Sequence, residues 1–443
     1  MKKTPLENWI IDKTHIKDRN RMALEEYQLN KIKETIYYAK KNSSFYGQQL
    51  KNIQVEDFCS LKDLQDIPFT FPQNISQNPF GFLCVPQGEV KRIVTLNTSG
   101  TSGEQKRIFF SEEDLELTID FFRYGMSCLT DKTDSVLVLL PGNAYGSIGD
   151  LLKKALEKSG IECIVHGVLI DPEEAAKCIE EKNITCIVGI PMQVLYLSRA
   201  KNVVFKRKIK KVLLSTDYVP KVLINELTYK CGCRVYNHYG MTEMGYGGGV
   251  ECEALNGYHM REGDLYFEII NPDTGEALEN GQYGEVVFTT LTRCAMPLIR
   301  YRTGDMAAFS STSCPCGTFL KTMKSVLGRI DNRVVLEENQ FLYLRELDEI
   351  VLSFEDVIDY KAHMDFGDRL ILEITTQSCE VFKQVKDEMK LRIQDILFHK
   401  LGYESNIEVI SNHENKPAKV TNSMIKRKIL DYRKRGFKDE TYL

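Results

Sequence analysis

The pattern of apolar and polar positions predicts a layered α/β core. Over roughly residues 19–39, apolar side chains recur at helical spacing, which indicates an amphipathic helix packed on the body. From residue 135 onward, short apolar runs alternate with amphipathic segments in the order SVLVLLPG, DLLKKALEKSG, IECIVHG, DPEEAAKCIEEKN, TCIVGIP and KVLLSTD. This alternation favours buried parallel strands joined by crossover helices. Because ligands bind at the carboxyl ends of such strands, the loops LLPGNAYG, IVGIPM, LLSTDYVP and VYNHYGMTE should converge on one crevice.

A loop rich in hydroxyls and glycines follows the predicted strand at residues 92–96. Its sequence, LNTSGTSGEQKRIFF, contains four hydroxyl side chains, two glycines and two cations: Thr98, Ser99, Thr101, Ser102, Gly100, Gly103, Lys106 and Arg107. Such a loop can hold phosphates, because glycines let the backbone approach an anion closely. Its spacing is that of neither GxxxxGK[ST] nor GxGxxG. A surface turn is the alternative for this loop taken alone.

Three further stretches place polar side chains where apolar runs end. In NHYGMTEMG, Tyr239 offers a ring for stacking, and Glu243 offers a carboxylate that could hold a hard cation or simply pair with a basic side chain. In LIRYRTGDMAAF, Asp305 follows a tight turn and suits the vicinal hydroxyls of a ribose. In VLGRIDNRVVL, Gly328, Arg329 and Asp331 separate two apolar runs. His238 is assigned no chemistry, because a histidine in this setting usually packs or hydrogen-bonds.

Taken together and in this order, the four stretches resemble the adenylate-forming (AMP-binding) acyl-CoA synthetase superfamily. That superfamily carries SGTSGxPK, YGxTE, YRTGD and GRxD, which here are residues 99–106, 239–243, 301–305 and 328–331. The segments PFTFPQNISQNPFGFLCVP and MPLIRYRTGD resemble the phenylacetate-CoA ligase branch in particular. The resemblance covers about residues 20–350, and chance agreement of all four motifs is negligible.

The resemblance implies roles for individual residues. The ATP phosphates would be held by Ser99, Gly100, Thr101, Ser102, Gly103 and Lys106. Thr242 would contact a phosphate oxygen, and Glu243 would bind Mg2+. Adenine and ribose would be bound by Ser215, Thr216, Asp217, Asn237, Tyr239, Gly240, Asp305 and Arg329. Residues for an acyl-substrate pocket are Tyr145, Gly189, Met192 and Tyr246, which suggest a mixed apolar and aromatic wall.

The same resemblance implies a fold, a reaction and a hinge. A large N-terminal domain with layered sheets and helices, residues 1–329, would precede a small mobile α/β domain, residues 330–443, with the hinge at Asp331. In the family a carboxylate attacks the α-phosphate of ATP and releases pyrophosphate, and the thiol of coenzyme A then displaces AMP. Beyond the hinge, YLRELDEIVLSF and FKQVKDEMKLRIQDILFHKLG are predicted helices, and VIDYKAHMDF, RLILEITT and NIEVIS are predicted strands.

The sequence departs from the family pattern mainly at its C-terminal end. Gln105 replaces a usual proline, and a Glu-Glu-Asn run after Val334 and Val335 replaces a glycine-containing turn, which puts the coenzyme A face in doubt. The branch ends in a catalytic lysine before a helix. When KILDYR is placed on that helix, the lysine position falls on Ile425. Lys426 is adjacent and is therefore the candidate. Lys419 or Lys428 could take its place only with a shifted backbone. Solvated helix charges are the alternative for these lysines.

Cys252, His259, Cys314 and Cys316 form a candidate metal site. Three thiols and an imidazole suit tetrahedral zinc, and a site with no open position would be structural. The spacing is not that of a standard zinc finger, although some phenylacetate-CoA ligase-like sequences carry CxCG at this place. Reduced thiols in a loop, beside a packed histidine, are the competing interpretation.

Composition narrows the class of protein further. With 443 residues, 43% hydrophobic and 27% charged, the chain has the composition of an ordinary globular protein large enough for two domains. A net charge of -4 argues against a dedicated nucleic-acid partner. The sequence contains neither an apolar membrane span nor the apolar stretch of a signal peptide, and its 13 scattered cysteines favour a reducing compartment. We therefore expect a cytoplasmic protein without a membrane partner, and a homodimer is one assembly that the sequence allows.

The resemblance thus predicts an ATP-dependent acid:CoA ligase for an aryl or arylacetic acid, using ATP, Mg2+ and coenzyme A. The alternative is an adenylating protein that passes its acyl group to another acceptor, or a nucleotide-binding homologue with impaired ligation. Pyrophosphate release without consumption of coenzyme A would distinguish transfer to another acceptor from ligation to coenzyme A.

Overall fold

The computed structural model describes residues 2–97, 105–338, 340–376, 378–412 and 427–434. Its helices are α1 (Pro5–Thr14), α2 (Arg21–Asn42), α3 (Ser44–Gln49), α4 (Pro72–Gln77), α5 (Glu112–Met126), α6 (Ile148–Lys158), α7 (Pro172–Glu181), α8 (Pro191–Ala200), α9 (Asn202–Lys208), α10 (Lys221–Asn225), α11 (Leu344–Val351) and α12 (Cys379–Leu401).

The strands follow the same order along the chain. They are β1 (Arg92–Asn97), β2 (Gln105–Phe110), β3 (Ser135–Leu139), β4 (Glu162–Val165), β5 (Cys186–Gly189), β6 (Lys211–Leu214), β7 (Arg234–Tyr239), β8 (Gly249–Glu251), β9 (Tyr258–Met260), β10 (Leu265–Ile270), β11 (Gly284–Thr290), β12 (Tyr301–Ala307), β13 (Thr322–Met323), β14 (Gly328–Arg329), β15 (Val334–Glu337), β16 (Gln340–Leu342), β17 (Val357–Met364), β18 (Leu370–Thr376), β19 (Ile407–Ser411) and β20 (Ile429–Asp431).

The central sheet has the strand order β13-β9-β8-β7-β6-β5-β3-β4. Strands β3 to β7 run parallel and are joined through helices, whereas β8, β9 and β13 add antiparallel pairs at one side. The parallel strands are almost wholly buried because helices cover both faces of the sheet. The predicted α/β layered core is therefore confirmed, and the carboxyl ends of β5, β6 and β7 meet at one edge.

Two smaller sheets flank this edge. An antiparallel sheet of order β10-β11-β12-β14 brings the YRTGD strand and the GRxD turn to the central sheet, with Asp305 opposite Arg329. Strands β1 and β2 form an antiparallel hairpin in which Asn97 pairs with Gln105. The connection between them, which contains Ser99, Gly100, Thr101, Ser102 and Gly103, lies outside the described residues.

The C-terminal part forms its own small sheet of order β19-β18-β17-β20, packed on α11 and α12. The predicted helices and the three predicted strands of this part are confirmed. The placement of KILDYR on a helix is wrong: Ile429–Asp431 is strand β20, paired in parallel with β17. As a strand, the run buries Ile429 in the core and pairs with Ala362 to Met364 of β17.

A buried ion pair holds the small sheet against the large domain. Arg199 on α8 pairs with Glu226 and donates to the carbonyl oxygens of Leu352 and Val357, at 2.8 and 2.6 Å, just beyond α11. The carboxylate of Glu349 accepts from the backbone at the start of α10. Among the residues that the structure describes, no helix has both the length and the apolar character needed to cross a membrane.

Candidate functional site

A cleft opens at the carboxyl edge of the central sheet, between the large N-terminal body and the smaller C-terminal part. Its walls come from the loop after β6, the end of β7, strands β12 and β14, and the region around α11. Seven of the predicted nucleotide-binding residues line it: Thr216, Asp217, Asn237, Tyr239, Gly240, Asp305 and Arg329.

Asn237 presents a hydrogen-bond acceptor to this cleft. The carboxylate of Glu251 on the neighbouring strand β8 accepts from the backbone N–H of Asn237 at 2.8 Å and from its Nδ2 at 3.0 Å. In its ionised form this carboxylate only accepts, and the contact then fixes the orientation of the Asn237 amide. The opposite atom, Oδ1, is buried and has no hydrogen-bond partner among the described residues. A base with an exocyclic amino group would complete this site.

Glu251 is a buried acid whose role the sequence did not reveal. Burial, only partly offset by hydrogen bonds from Asn237 and Gly257, raises the pKa of Glu251 to about 7. Its position opposite Asn237 follows from the antiparallel pairing of β7 with β8, in which His238 lies opposite Val250. No short motif encodes that pairing, because a turn of several residues separates the two strands.

The carboxylate of Asp305 is held from two sides at the wall of the cleft. Tyr239 donates its hydroxyl to Oδ2 at 3.1 Å, and Arg329 donates Nε to Oδ1 at 3.1 Å. Arg329 also donates to the carbonyl oxygen of Thr303 at 2.9 Å. Asp305 is 2% exposed, so these contacts keep one buried carboxylate in a fixed position. Such a carboxylate can accept hydrogen bonds from a pair of hydroxyl groups.

Lys106 and Glu243, predicted to act on phosphates and on a metal ion, contact each other directly. Lys106 Nζ pairs with Glu243 Oε1 and also donates to the hydroxyl of Tyr301 at 3.0 Å. Tyr301 in turn donates to Glu243 Oε1 at 3.1 Å. Burial opposes ionisation here, but the charge of Lys106 outweighs it and lowers the pKa of Glu243 to about 2. Glu243 is therefore ionised at neutral pH. Thr242 begins the short 3-10 turn that carries Glu243.

Asp331 and Lys426 are the predicted hinge residue and the predicted catalytic lysine. Asp331 lies in the 3-10 turn Ile330–Asn332, between strands β14 and β15. Lys426 lies outside the described residues, but the next residue, Arg427, lines the cleft. Arg427 donates to Asp348 at 2.8 Å, and its other terminal nitrogen, NH2, is buried without a partner among the described residues. The sequence motifs did not indicate Arg427, because the family pattern expects a lysine near this position.

An apolar cavity lies beside the cleft, among α5, α6 and strands of the central sheet. Its walls include Phe121, Phe122, Met126, Val188 and Leu213. Ser215, predicted for the nucleotide, lines this cavity together with His238.

The four residues predicted for the acyl-substrate pocket lie outside the lining of this cavity. Tyr145 is half-exposed and donates its hydroxyl to Glu112 at 2.8 and 2.7 Å. Tyr246 stacks on Phe110. Gly189 ends β5, directly after a residue of the cavity wall, and Met192 is buried on α8. Their assignment to the acyl site stays a prediction.

The predicted zinc ligands come together in one buried cluster. The ligand atoms of Cys252, His259, Cys314 and Cys316 all lie within 4.8 Å of one another. Cys252 Sγ is 3.8 Å from Cys314 Sγ, and Cys316 Sγ is 3.6 Å from His259 Nε2. The cysteines are free thiols. Burial lowers the pKa of His259 to about 4, so its imidazole is neutral.

These distances match the edges of a tetrahedral zinc site. Zn–S bonds of about 2.3 Å and Zn–N bonds of about 2.0–2.1 Å give edges of about 3.8 Å between sulfurs and about 3.6 Å between sulfur and nitrogen. The cluster lies beside strands β8, β9 and β13, which follow the YGxTE loop. The geometry therefore has the ligand types and the spacing that a structural metal ion requires.

Comparison with known proteins identifies close counterparts of this architecture. The family described as "AMP-binding enzyme" matches residues 86–292. The phenylacetate-coenzyme A ligase of Thermus thermophilus is 28% identical over 357 residues, covering 77% of this chain and 78% of that protein. A crystal structure of 2-hydroxyisobutyryl-CoA ligase in the postadenylation state superposes with a TM-score of 0.77 at 18% identity, covering 92% of this chain and 89% of that one.

The same 2-hydroxyisobutyryl-CoA ligase in its thioesterification state gives a lower TM-score of 0.64, again covering 92% of this chain and 89% of that one.

Proposed function

We propose that the chain, which matches the AMP-binding enzyme family over residues 86–292, is an ATP-dependent acid:CoA ligase that activates an aryl or arylacetic acid. One observation carries the proposal: the acceptor of Asn237 and the fixed carboxylate of Asp305 line the same cleft. A nucleoside needs these two groups, one for an amino-bearing base and one for a ribose. The phenylacetate-coenzyme A ligases to which the chain is similar support the choice of acid.

In this proposal, adenine contacts Asn237 Oδ1 and the ring of Tyr239, while the ribose hydroxyls donate to Asp305. The loop after β6, including Thr216 and Asp217, covers the other side of the base. The nucleotide is thereby positioned with its phosphates towards Lys106. The acid carboxylate then attacks the α-phosphate, the bond to pyrophosphate breaks, and an acyl-adenylate forms. Most of the catalysis expected from the protein is positioning and neutralisation of charge.

The phosphates would be held by Lys106, Thr242 and the hydroxyls and backbone of residues 99–103. Binding of the phosphates would draw Lys106 away from Glu243 and leave a charged carboxylate for Mg2+. The donor fits this ion, because Glu243 is ionised at neutral pH and Mg2+ prefers oxygen ligands. The ion would neutralise charge on the phosphate oxygens.

In the second half-reaction the thiol of coenzyme A attacks the acyl carbon, and AMP leaves. The small domain would rotate about Asp331 between the two steps, and the break in regular structure at residues 330–332 supports a hinge there. Lys426 is proposed to reach the adenylate during the first step. The position of the next residue, Arg427, in the lining of the cleft supports this proposal.

The cluster of Cys252, His259, Cys314 and Cys316 is proposed to hold a structural zinc ion. Its support is the agreement of the S–S and S–N distances with a tetrahedral site. With four protein ligands no position is left open for substrate. The ion would stabilise the link between β8 and the segment after β12.

A screen for acid-dependent pyrophosphate release tests the proposed activity. Purified protein, ATP and Mg2+ are incubated with a panel of aromatic and aliphatic acids, with and without coenzyme A. We expect release with at least one aryl or arylacetic acid, and a loss of about 100-fold or more in Lys106→Met, since a preorganised cation at the phosphates is removed. Lys62→Met, a solvent-exposed lysine outside the cleft, is the matched control and should retain the activity.

The outcomes of this screen separate the alternatives. Release that does not depend on coenzyme A, with no thioester formed, would favour transfer to another acceptor. Absence of release with every acid, together with absence of ATP binding, would refute the proposal.

A further inference from the structure

The wall between the nucleotide cleft and the apolar cavity contains one imidazole. His238 lines both spaces, whereas most of the cavity wall is formed by apolar side chains such as Phe121, Phe122 and Met126. The alternation of side chains along β7 explains its position: Asn237 and Tyr239 face the nucleotide, and His238 points to the other face of the strand. The acid must pass this residue if its carboxylate is to meet the α-phosphate while its apolar part occupies the cavity.

One nitrogen of this imidazole is used and the other is not. Nδ1 lies 2.8 Å from the hydroxyl of Ser215, which fixes the plane of the ring. Nε2 is buried and has no hydrogen-bond partner among the described residues. The rings of Phe121 and Phe122 lie 6.2 and 6.1 Å from the imidazole and offer no hydrogen bond in the ring plane. Burial lowers the pKa of His238 to about 4, so the ring is neutral at pH 7.

A buried polar atom without a partner is unfavourable, and it marks a place where a ligand can supply one. Leaving such an atom unpaired costs about 1–3 kcal/mol, which corresponds to roughly 5- to 150-fold in affinity. An acid whose whole body is apolar would keep Nε2 unpaired. A charged substituent would be buried beside a neutral ring and is disfavoured.

We propose that His238 selects an aryl or arylacetic acid that carries a hydroxyl group within reach of Nε2. This inference rests on the proposed function, because it takes the cavity as the acyl site. A hydroxyl is the substituent that fits both tautomers. If Ser215 donates to Nδ1, then Nε2 carries the proton and the substrate oxygen accepts; if Nδ1 donates to Ser215, then the substrate hydroxyl donates to Nε2.

The test compares phenylacetic acid with its three ring-hydroxylated isomers, and benzoic acid with its three. Two readouts are taken on each acid: kcat/KM for pyrophosphate release, and direct binding of the acid by calorimetry in the presence of AMP. The variants are His238→Phe, which keeps a flat ring without nitrogen, and His238→Leu, in case the larger ring disturbs folding. Met126→Leu changes the same cavity without changing its hydrogen bonding and is the matched control.

We expect one hydroxylated isomer to exceed its parent acid by 10-fold or more in the wild type and in Met126→Leu. In both His238 variants the preference should fall below about threefold, since neither side chain can pair with the hydroxyl.

The two readouts separate the failure of this inference from the failure of the proposed function. Pyrophosphate release without a hydroxyl preference, or with a preference that survives in the His238 variants, overturns the inference and leaves the ligase proposal standing. Binding that shows the preference without any pyrophosphate release supports the inference and contradicts the ligase proposal. Neither release nor binding of any acid overturns both.

Discussion

The contact between Glu251 and Asn237 predicts that one buried carboxylate sets the choice of nucleobase. Glu251→Gln is the perturbation. In the wild type at pH 8 the ionised carboxylate can only accept, so Asn237 must turn Nδ2 towards it and Oδ1 towards the cleft. A glutamine keeps an oxygen there for the backbone N–H of Asn237 but carries no charge, so the bond that holds Nδ2 is weaker and the opposite orientation of the amide becomes more accessible. The variant should then accept a 6-oxo purine nearly as well as a 6-amino purine.

The magnitude follows from the hydrogen bond that holds the amide. A hydrogen bond to a charged group contributes about 1.5–3 kcal/mol, and each 1.4 kcal/mol is about tenfold in affinity. The ratio of affinities for ATP over ITP should therefore fall by roughly 10- to 100-fold in Glu251→Gln. Calorimetric titration with each nucleotide measures the ratio and requires no knowledge of the acid.

A control separates this effect from general loss of stability. Asp134→Asn removes another buried carboxylate, which accepts from Thr185 and Lys211 outside the cleft lining, and should leave the ATP to ITP ratio unchanged. Lowering the pH of the wild type to 6 should also reduce the ratio, because Glu251, whose pKa is about 7, then gains a proton that it can donate. An unchanged ratio in Glu251→Gln at pH 8 would refute the reasoning.

Three further predictions address the metal site, the domain contact and the pH dependence of stability. Cys314→Ser should abolish the one equivalent of zinc expected in purified wild-type protein by elemental analysis, and wild-type protein that folds fully without any metal would contradict the zinc site. Arg199→Met leaves Glu226 buried without its partner and should lower the free energy of unfolding, measured by denaturant titration, by about 3–5 kcal/mol. The double variant Arg199→Met, Glu226→Leu should recover part of this loss. An effect of Arg199→Met under about 1 kcal/mol would contradict the contact. Burial raises the pKa of Glu251 from 4.5 to about 7, so ionisation of this group should lower the protein's free energy of unfolding by about 3 kcal/mol as the pH rises from 4.5 to 7. Chemical denaturation at each pH should show this decline in the wild type and not in Glu251→Gln.

The layered core and the position of the site could be predicted from the sequence because both depend on local patterns. Apolar runs such as those of β3, β5 and β6 indicate strands that are buried on both faces, and the loops after β6 and β7 line the cleft. The family motifs placed Asn237, Tyr239, Asp305 and Arg329 in one site, and all four line the same cleft.

The site residues that the sequence did not indicate act through contacts between distant segments of the chain. Glu251 acts through the pairing of β7 with β8, and Arg427 reaches the cleft only because β20 lies beside β17. The run Ile429–Asp431 is too short for its period to distinguish helix from strand, which is why it was placed wrongly on a helix. His238 could have been noticed from strand alternation, since it points away from the side that carries Asn237 and Tyr239.

The motifs also did not predict the direct pairing of Lys106 with Glu243. Both residues were predicted to contact ligands, one a phosphate and the other a metal ion. In the structure each neutralises the other, with Tyr301 as a shared hydrogen-bond partner. A motif gives the residues that meet the ligand, and it does not give the contacts that these residues make with one another.

Formation of an acyl-CoA is the measurement that tests the central claim most directly. Protein, ATP, Mg2+, coenzyme A and the acid with the strongest pyrophosphate release are incubated, and the products are analysed by mass spectrometry. The account predicts AMP and the matching acyl-CoA in equal amounts, and neither product when the acid is omitted. ATP consumption that does not depend on the acid, or AMP without any acyl-CoA, would contradict it.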